Sequence, residues 1–123
     1  MLKKIILSLT FLIILPAYSG EYENALMTGN SVFLYLYTQD CGYCKQFNSM
    51  YEKLADGSFK SHYKFLKIDA NTEYGRNLMS IFRASYVPFV VLVDAKRQLM
   101  CGIEPTCLLN QACTEKELKK FLK

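Results

Sequence analysis

Two cysteines, separated by two residues, stand in the segment Cys41-Gly42-Tyr43-Cys44. At the first turn of a helix, this spacing lets two sulfurs reach bonding distance. The unpaired N–H groups of a helix N-terminus carry partial positive charge, which favours a thiolate. We therefore predict that Cys41 is the nucleophile in thiol–disulfide exchange and that Cys44, one turn further in, is the resolving thiol.

Charges beside Cys41 act in opposite directions on its reactivity. The carboxylate of Asp40 disfavours the Cys41 thiolate, whereas the helix terminus and Lys45 favour it. If Asp40 points to water, ionic screening weakens its influence. The balance predicts a mildly lowered pKa for Cys41, below the value of about 8.5 for a free thiol.

The segments around this motif indicate which elements hold it. The unbroken apolar and aromatic run Val32–Tyr37 is typical of a strand that is buried on both faces. The helix that starts at Cys41 ends near Asp56-Gly57 and has an apolar stripe at helical spacing: Cys44, Phe47, Tyr51 and Leu54. We therefore expect the reactive pair where a buried strand gives way to a helix.

The rest of the pattern predicts one α/β domain with a single central sheet. A short helix over residues 21–29 leads into the order strand, helix, strand, helix, strand, strand, helix. Alternation implies a parallel first pair of strands, and the closing hairpin is expected to add two strands antiparallel to that pair. The predicted architecture is a three-layer α/β/α sandwich around a mixed four-stranded sheet, whose later strands cover residues 63–68, 89–93 and 98–103.

Polar residues indicate where the later helices begin. Asn71 is the predicted N-cap of the third helix, whose inward face holds four residues: Tyr74, Leu78, Ile81 and Phe82. Residues 104–113 are predicted to form a loop. Thr114 and Glu117 match a capping box, so the last helix is expected to start at Thr114.

Three further cysteines are predicted to be structural. Cys107 and Cys113 bracket the loop before the last helix, and we predict that they form a disulfide that fixes it. The alternative pairs Cys101 with Cys107 and leaves Cys113 free. Cys101 otherwise lies in the fourth strand and is expected to be a small buried residue. With five cysteines, at least one thiol lacks an internal partner.

The first residues have the pattern of a secretory signal peptide. Two lysines precede the apolar run Ile5–Leu15, which is short for a spanning helix of roughly 20 residues. Pro16 and the small residues Ala17 and Ser19 then indicate cleavage after Ser19. We predict a signal peptide over residues 1–19, a domain over residues 20–123, and a periplasmic or secreted protein. A retained membrane anchor is the alternative.

Composition argues against several other classes of protein. With 51% hydrophobic and 21% charged residues, the chain is expected to fold. The net charge of +4 comes without a basic run, so nucleic-acid binding is not expected. A zinc site would need two ligands beyond Cys41 and Cys44, and the sole histidine, His62, is expected at the surface. We therefore expect neither a metal nor a cofactor.

The sequence resembles the thioredoxin superfamily, in particular its small exported members. The matching features are the strand Val32–Tyr37, the helix start at Cys41 and Cys44, and the segment Tyr86-Val87-Pro88 that leads into the next strand. The resemblance covers most of residues 31–122. It implies that the proline has a cis peptide bond and faces the active cysteines.

The resemblance also implies which residues contact a substrate. The backbone of Val87, before the proline Pro88, is expected to pair with the substrate chain. Gly42 and Tyr43, between the cysteines, are the other expected contacts. Gly42-Tyr43 is similar to the pair in periplasmic disulfide isomerases, and Val87 looks like the residue in periplasmic disulfide oxidases. The redox direction therefore stays open between oxidase or isomerase and reductase.

Three features depart from thioredoxin itself. Tyr35 occupies the position of the buried aspartate that handles protons in thioredoxin, so that role is in doubt here. Asp40 replaces the usual tryptophan before the first cysteine. The first strand of the family is expected to be missing, because too few residues precede Val32 after cleavage.

The predicted function is that of an exported, monomeric thiol–disulfide oxidoreductase. Its partners would be protein thiols and disulfides and a membrane or exported redox protein. One alternative is a thioredoxin-fold binding or assembly module for envelope proteins, without turnover, in which exposed aromatics such as Tyr43 make the contacts. Another is a metal chaperone that uses Cys41 and Cys44. A binding module should tolerate Cys41→Ser, whereas an enzyme should not.

Overall fold

A computed structural model describes residues 20–123, and the predicted signal peptide lies outside them. A 3-10 turn, Ser58–Ser61, follows the second helix. The helices and strands, in chain order, are α1 Glu21–Met27, β1 Ser31–Tyr37, α2 Gly42–Asp56, β2 Tyr63–Asp69, α3 Glu73–Ile81, β3 Phe89–Asp94, β4 Leu99–Ile103, α4 Pro105–Leu108 and α5 Gln111–Phe121. None of the helices in this part of the chain has the length and apolarity needed to cross a membrane.

The strands form one mixed sheet in the order β2-β1-β3-β4. β1 is parallel to β2 and antiparallel to β3. β4 is antiparallel to β3, so it runs in the same direction as β1. The prediction that both hairpin strands oppose the first pair is right for β3 and wrong for β4, because the hairpin turn reverses the chain a second time.

The central strand β1 contributes to two cores, one on each face of the sheet. Phe33 and Tyr35 pack with residues of α2 and α5 on one face. Leu34 and Leu36 pack with residues of α1 and α3 on the other face. Burial on both faces explains why this strand is apolar without alternation. The predicted three-layer α/β/α sandwich with a mixed four-stranded sheet is confirmed.

The third helix, α3, is capped by a different residue from the one predicted. The Oγ1 of Thr72 accepts a hydrogen bond from the N–H of Gly75 at 3.0 Å, so Thr72 is the N-cap. Asn71 lies in the turn before α3. Its backbone N–H donates a hydrogen bond to the Oδ1 of Asp69, the last residue of β2, at 2.8 Å. Ile81, predicted on the inward face, is 65% exposed. Phe82, the next residue, takes the inward position and packs against the core of this face.

At its C-terminal end, α3 closes in a Schellman motif. The N–H of Arg83 donates to the carbonyl of Ser80 at 3.1 Å, and the N–H of Ala84 donates to the carbonyl of Met79 at 2.8 Å. Arg83 has a positive φ of 53°, which is the left-handed conformation that this motif requires. The motif turns the chain back toward the start of β3.

The last helix, α5, starts three residues earlier than predicted. Asn110 is its N-cap, and its Oδ1 accepts a hydrogen bond from the N–H of Cys113 at 3.0 Å. Thr114, the predicted start, is buried, and its hydroxyl donates to the carbonyl of Cys107 at 2.9 Å. The prediction was wrong because both Asn110 and Thr114 could cap this helix. The hydroxyl of Thr114 is instead bonded to Cys107 in α4, which leaves Asn110 as the cap. The predicted loop over 104–113 contains the short helix α4.

Candidate active site

Strand ends and turns bring the reactive cysteines to one edge of the sheet. β1 ends at Tyr37, and the chain then turns so that the N–H of Cys41 donates to the carbonyl of Thr38 at 3.4 Å. β2 ends beside it, where the N–H of Ala70 donates to the carbonyl of Tyr37 at 2.7 Å. The first turn of α2 therefore begins at the carboxyl ends of two parallel strands, where open α/β sheets commonly bind ligands.

Strand pairing brings the segment before β3 to the same edge. Phe89, the first residue of β3, pairs with Leu36 near the end of β1. The Val87–Pro88 peptide bond just before it is cis. Pro88 is buried, and the half-buried Val87 packs against the same core cluster as Cys41. The structure thus places these two predicted substrate-binding residues at the sheet edge where α2 begins.

Cys41 and Cys44 are joined by a disulfide across the first turn of α2, with their Cα atoms 5.2 Å apart. Cys41 is the N-cap residue of this helix, and its Sγ accepts a hydrogen bond from the N–H of Cys44 at 3.1 Å. A sulfur thus takes the position that a hydroxyl or carboxylate oxygen occupies in most capped helices. Cys41 is half-buried, whereas Cys44 is 1% exposed. This difference suits Cys41 for contact with a substrate and Cys44 for the resolving step.

The residues that flank and separate the cysteines are open to solvent. Apart from its chain neighbours and the backbone of its own helix, no atom lies within 4 Å of the place that a Cβ would occupy at Gly42. The side chain of Tyr43 is 60% exposed. Asp40 is also exposed, so its carboxylate is screened by water and salt. A large substrate has room to approach Cys41 over this surface.

A buried hydroxyl lies behind the active cysteines. Tyr35 in β1 is fully buried, and its hydroxyl donates to the Oδ1 of Asn48 at 2.8 Å and lies 3.2 Å from the carbonyl of Cys44. Burial raises the pKa of Tyr35 far above its usual value, with smaller contributions from Tyr37 and Tyr51. The hydroxyl therefore stays neutral and remains a hydrogen-bond donor under ordinary conditions.

Asn48 is not among the site residues predicted from the sequence. Its position four residues after Cys44 on α2 was a usable signal, because residues at this spacing share a helix face. Where the resemblance to thioredoxin places a buried carboxylate, this protein has a neutral hydroxyl paired with an amide. Because the Tyr35 hydroxyl is neutral, it does not supply the ionised group that an aspartate would supply for proton transfer.

The other cysteines lie away from α2 in the sequence and on different elements. Cys107 and Cys113 are joined by a second disulfide between α4 and α5, with their Cα atoms 5.3 Å apart. Cys101 has no disulfide and is half-buried rather than buried, because β4 is an edge strand. His62 is exposed. Within residues 20–123, no three side chains of His, Cys, Asp or Glu form a cluster that could hold a metal ion.

A cleft of about 740 Å³ adjoins the turn before Cys41. Its lining combines the end of β1, one face of α3 and the segment before the cis proline, and includes Thr38, Arg76, Met79, Arg83, Tyr86 and Val87. The two arginines were not singled out from the sequence. No local pattern marks them, because the chain folds back to bring the walls of the cleft together.

The chain belongs to the thioredoxin-like family, since a family model with that description matches residues 13–95. The fold is similar to that of thioredoxin f from spinach chloroplasts, with 22% identity, a TM-score of 0.69, and coverage of 84% of this chain and 80% of that chain. It is also similar to the germline-specific thioredoxin Deadhead from Drosophila melanogaster, with 21% identity, a TM-score of 0.66, and coverage of 80% and 90%.

A further similar structure is the first thioredoxin domain of mouse protein disulfide-isomerase A4, with 24% identity, a TM-score of 0.66, and coverage of 85% of this chain and 72% of that chain. No curated protein matches this sequence. At these identities the structural likeness shows the fold. The fold together with the disulfide-forming pair Cys41 and Cys44 supports thiol–disulfide oxidoreductase activity on protein thiols in general.

Proposed function

We propose that the protein is an exported thiol–disulfide oxidoreductase that exchanges disulfides with other exported proteins through Cys41 and Cys44. The observation that carries the proposal is the asymmetric pair at the start of α2, in which Cys41 is half-buried and Cys44 is buried. The signal-like pattern of residues 1–19 supports export. The disulfide between Cys107 and Cys113 also supports it, because structural disulfides persist mainly in oxidising compartments.

The exchange proceeds in two balanced steps. In the reducing direction, the Cys41 thiolate attacks a substrate disulfide, a bond forms between Cys41 and one substrate sulfur, and the other substrate sulfur leaves as a thiolate. The Cys44 thiolate then attacks the Sγ of Cys41, and the first substrate sulfur leaves. The substrate gains two electrons and the cysteine pair loses two, whereas the reverse sequence donates a disulfide.

The equilibrium reduction potential of the Cys41–Cys44 pair tests the enzyme proposal and assigns its direction. It can be measured in glutathione buffers by alkylation and mass spectrometry, with Cys101→Ser as a control that should not change it. A value of roughly −120 to −180 mV would indicate a disulfide donor or isomerase, and a value near roughly −270 mV would indicate a reductase. A pair that does not cycle over this range would favour the binding-module alternative.

Export is tested separately from the redox activity. The full chain, expressed in a Gram-negative host and recovered from the periplasm, should begin at Gly20 when its intact mass is measured. A chain that keeps residues 1–19 in the membrane fraction would support the retained anchor. A full-length chain in the cytosol would contradict export.

A further inference from the structure

We propose that the cleft beside the cysteine pair, lined by Arg76 and Arg83, binds an acidic segment of the protein substrate. This inference rests on the proposed function and adds the chemical class of the substrate. It concerns the chain next to the substrate cysteine, because the cleft begins where the active-site turn and the cis-proline segment meet.

The position of the cleft connects it to the reaction. Thr38, whose carbonyl accepts the N–H of Cys41, lines one end. Val87, just before the cis proline, lines the cleft as well. Tyr86 and Met79 add apolar surface, and the Tyr86 side chain is 46% exposed. A polypeptide whose cysteine reaches Cys41 can therefore continue into this cleft.

The charge of the cleft is of one sign. Arg76 and Arg83 are both exposed, and no aspartate or glutamate is among the lining residues in the described part of the chain. The one ion pair found within residues 20–123 joins Arg97 to Asp94, so neither cleft arginine forms a direct ion pair with a carboxylate in that part of the chain. Guanidinium groups bind carboxylates through paired N–H donors, which makes an acidic peptide the matching ligand.

A backbone contact holds the Arg76 side chain at the cleft. A terminal N–H of the Arg76 guanidinium donates to the backbone carbonyl of Asn71, which fixes its direction and leaves other N–H groups of Arg76 for a ligand. The nearby carboxylate of Asp69 accepts the backbone N–H of Asn71 and is not part of the lining.

Arg83 supports the same inference through its backbone conformation. Its φ of 53° lies in the left-handed region, at the position after a helix where glycine is favoured. An arginine there costs stability compared with glycine, and such costs concentrate at functional sites. At this position the arginine places its side chain in the lining of the cleft.

The test compares three cysteine peptides of equal length, each linked through a disulfide to thionitrobenzoate, with three Glu, Gln or Lys residues beside the cysteine. The Cys41–Cys44 disulfide is first reduced with dithiothreitol, which is then removed. Attack of the Cys41 thiolate on the peptide sulfur breaks the peptide disulfide and releases the coloured thionitrobenzoate thiolate, so the absorbance reports the rate. We expect the Glu peptide to react about five- to tenfold faster than the Gln peptide at low salt. The ratio should fall toward one at about 1 M salt, where the Debye length is about 3 Å.

Variants separate the cleft from general charge effects. Arg76→Gln combined with Arg83→Gln should bring the Glu-to-Gln ratio close to one, and Arg83→Glu should shift the preference toward the Lys peptide. The matched control, Lys116→Gln combined with Lys120→Gln, removes the same charge from α5 on the opposite face of the sheet and should keep the ratio.

The outcomes distinguish this inference from the function on which it rests. Equal rates for the three peptides, or a ratio that survives both arginine substitutions, would overturn the inference and leave the oxidoreductase intact. A ratio lost in the α5 control would assign the preference to net charge and also overturn it. Failure of every peptide to react would overturn both.

Discussion

At the scale of single residues, the hydroxyl of Tyr35 is the buried polar group that connects β1 to α2 behind the active cysteines. It joins Asn48 and the backbone of Cys44. A buried donor without its acceptor costs more than the net value of the hydrogen bond, because the group has left water. The link between β1 and α2 should therefore depend on both side chains together.

A double-mutant cycle measures this dependence. Tyr35→Phe should lower the free energy of unfolding by about 1–2 kcal/mol, and Asn48→Ala by a similar amount. Because the two groups bond to each other, the double variant should lose less than the sum, with a coupling of about 1 kcal/mol. Urea unfolding gives the values. Tyr51→Phe is the control, since no hydrogen bond of its hydroxyl is found among the described residues; strict additivity at 35 and 48 would contradict the coupling.

At the scale of elements, the end of α3 combines a structural and a functional demand. Arg83 closes the Schellman motif in a conformation that suits glycine, and its side chain lines the cleft. The backbone requirement and the side-chain requirement therefore favour different residues at this position.

Replacing Arg83 with glycine separates the two demands. We expect Arg83→Gly to raise the free energy of unfolding by about 1 kcal/mol, because glycine adopts positive φ without a steric penalty. The same substituent at Ser80, inside α3, should instead destabilise by roughly 0.5–1 kcal/mol. Thermal unfolding measures both. A destabilised Arg83→Gly variant would show that side-chain contacts of Arg83 outweigh its backbone cost.

The α4–α5 junction is the other element whose stability can be tested. Cys107 and Cys113 close a short loop there, and Thr114 bonds back to the Cys107 carbonyl. Replacing both cysteines with alanine should cost about 2 kcal/mol by loop entropy, while the potential of the Cys41–Cys44 pair stays the same. Denaturant unfolding gives the cost, with Cys101→Ala as the control. Peptide mapping without reductant should recover the 107–113 link, and a 101–107 peptide would contradict it.

At the scale of the whole molecule, the core facing α2 and α5 is unusually rich in tyrosine. Burial raises the pKa of Tyr35 and Tyr63 well above the usual value, and raises the pKa of Tyr51 to about 12. Each of these groups binds its proton more tightly in the folded state than in the unfolded state. Their contribution to stability is therefore complete below the unfolded pKa of about 10 and is lost as pH rises through the folded values.

This predicts an alkaline loss of stability that begins near pH 10. Urea midpoints measured between about pH 9 and about pH 12 should fall, and Tyr51→Phe should make the fall shallower because one buried tyrosine no longer ionises. Tyr43→Phe, at an exposed position, should leave the slope unchanged. A Tyr51→Phe profile parallel to that of the unaltered protein would contradict the assignment.

Local patterns were sufficient for the central architecture. The apolar run of β1 predicted a doubly buried strand, and the stripe Cys44, Phe47, Tyr51 and Leu54 predicted the buried face of α2. These predictions succeeded because burial imposes its period directly on the order of residues. Helix starts were harder, since Asn71 and Thr72, or Asn110 and Thr114, can compete for the same free N–H groups.

Sequence patterns alone were enough for the family resemblance, for the order of the main strands and helices other than α4, and for the position of Cys41 and Cys44, because these depend on spacing and periodicity along the chain. The tertiary structure decided that Tyr35 meets Asn48 and that Arg76 and Arg83 line a cleft beside Val87. Those relations depend on strand pairing and on the turn after α3, which bring distant segments together. Contacts between segments that are distant in the chain produce no repeating pattern of residues from which they could be predicted.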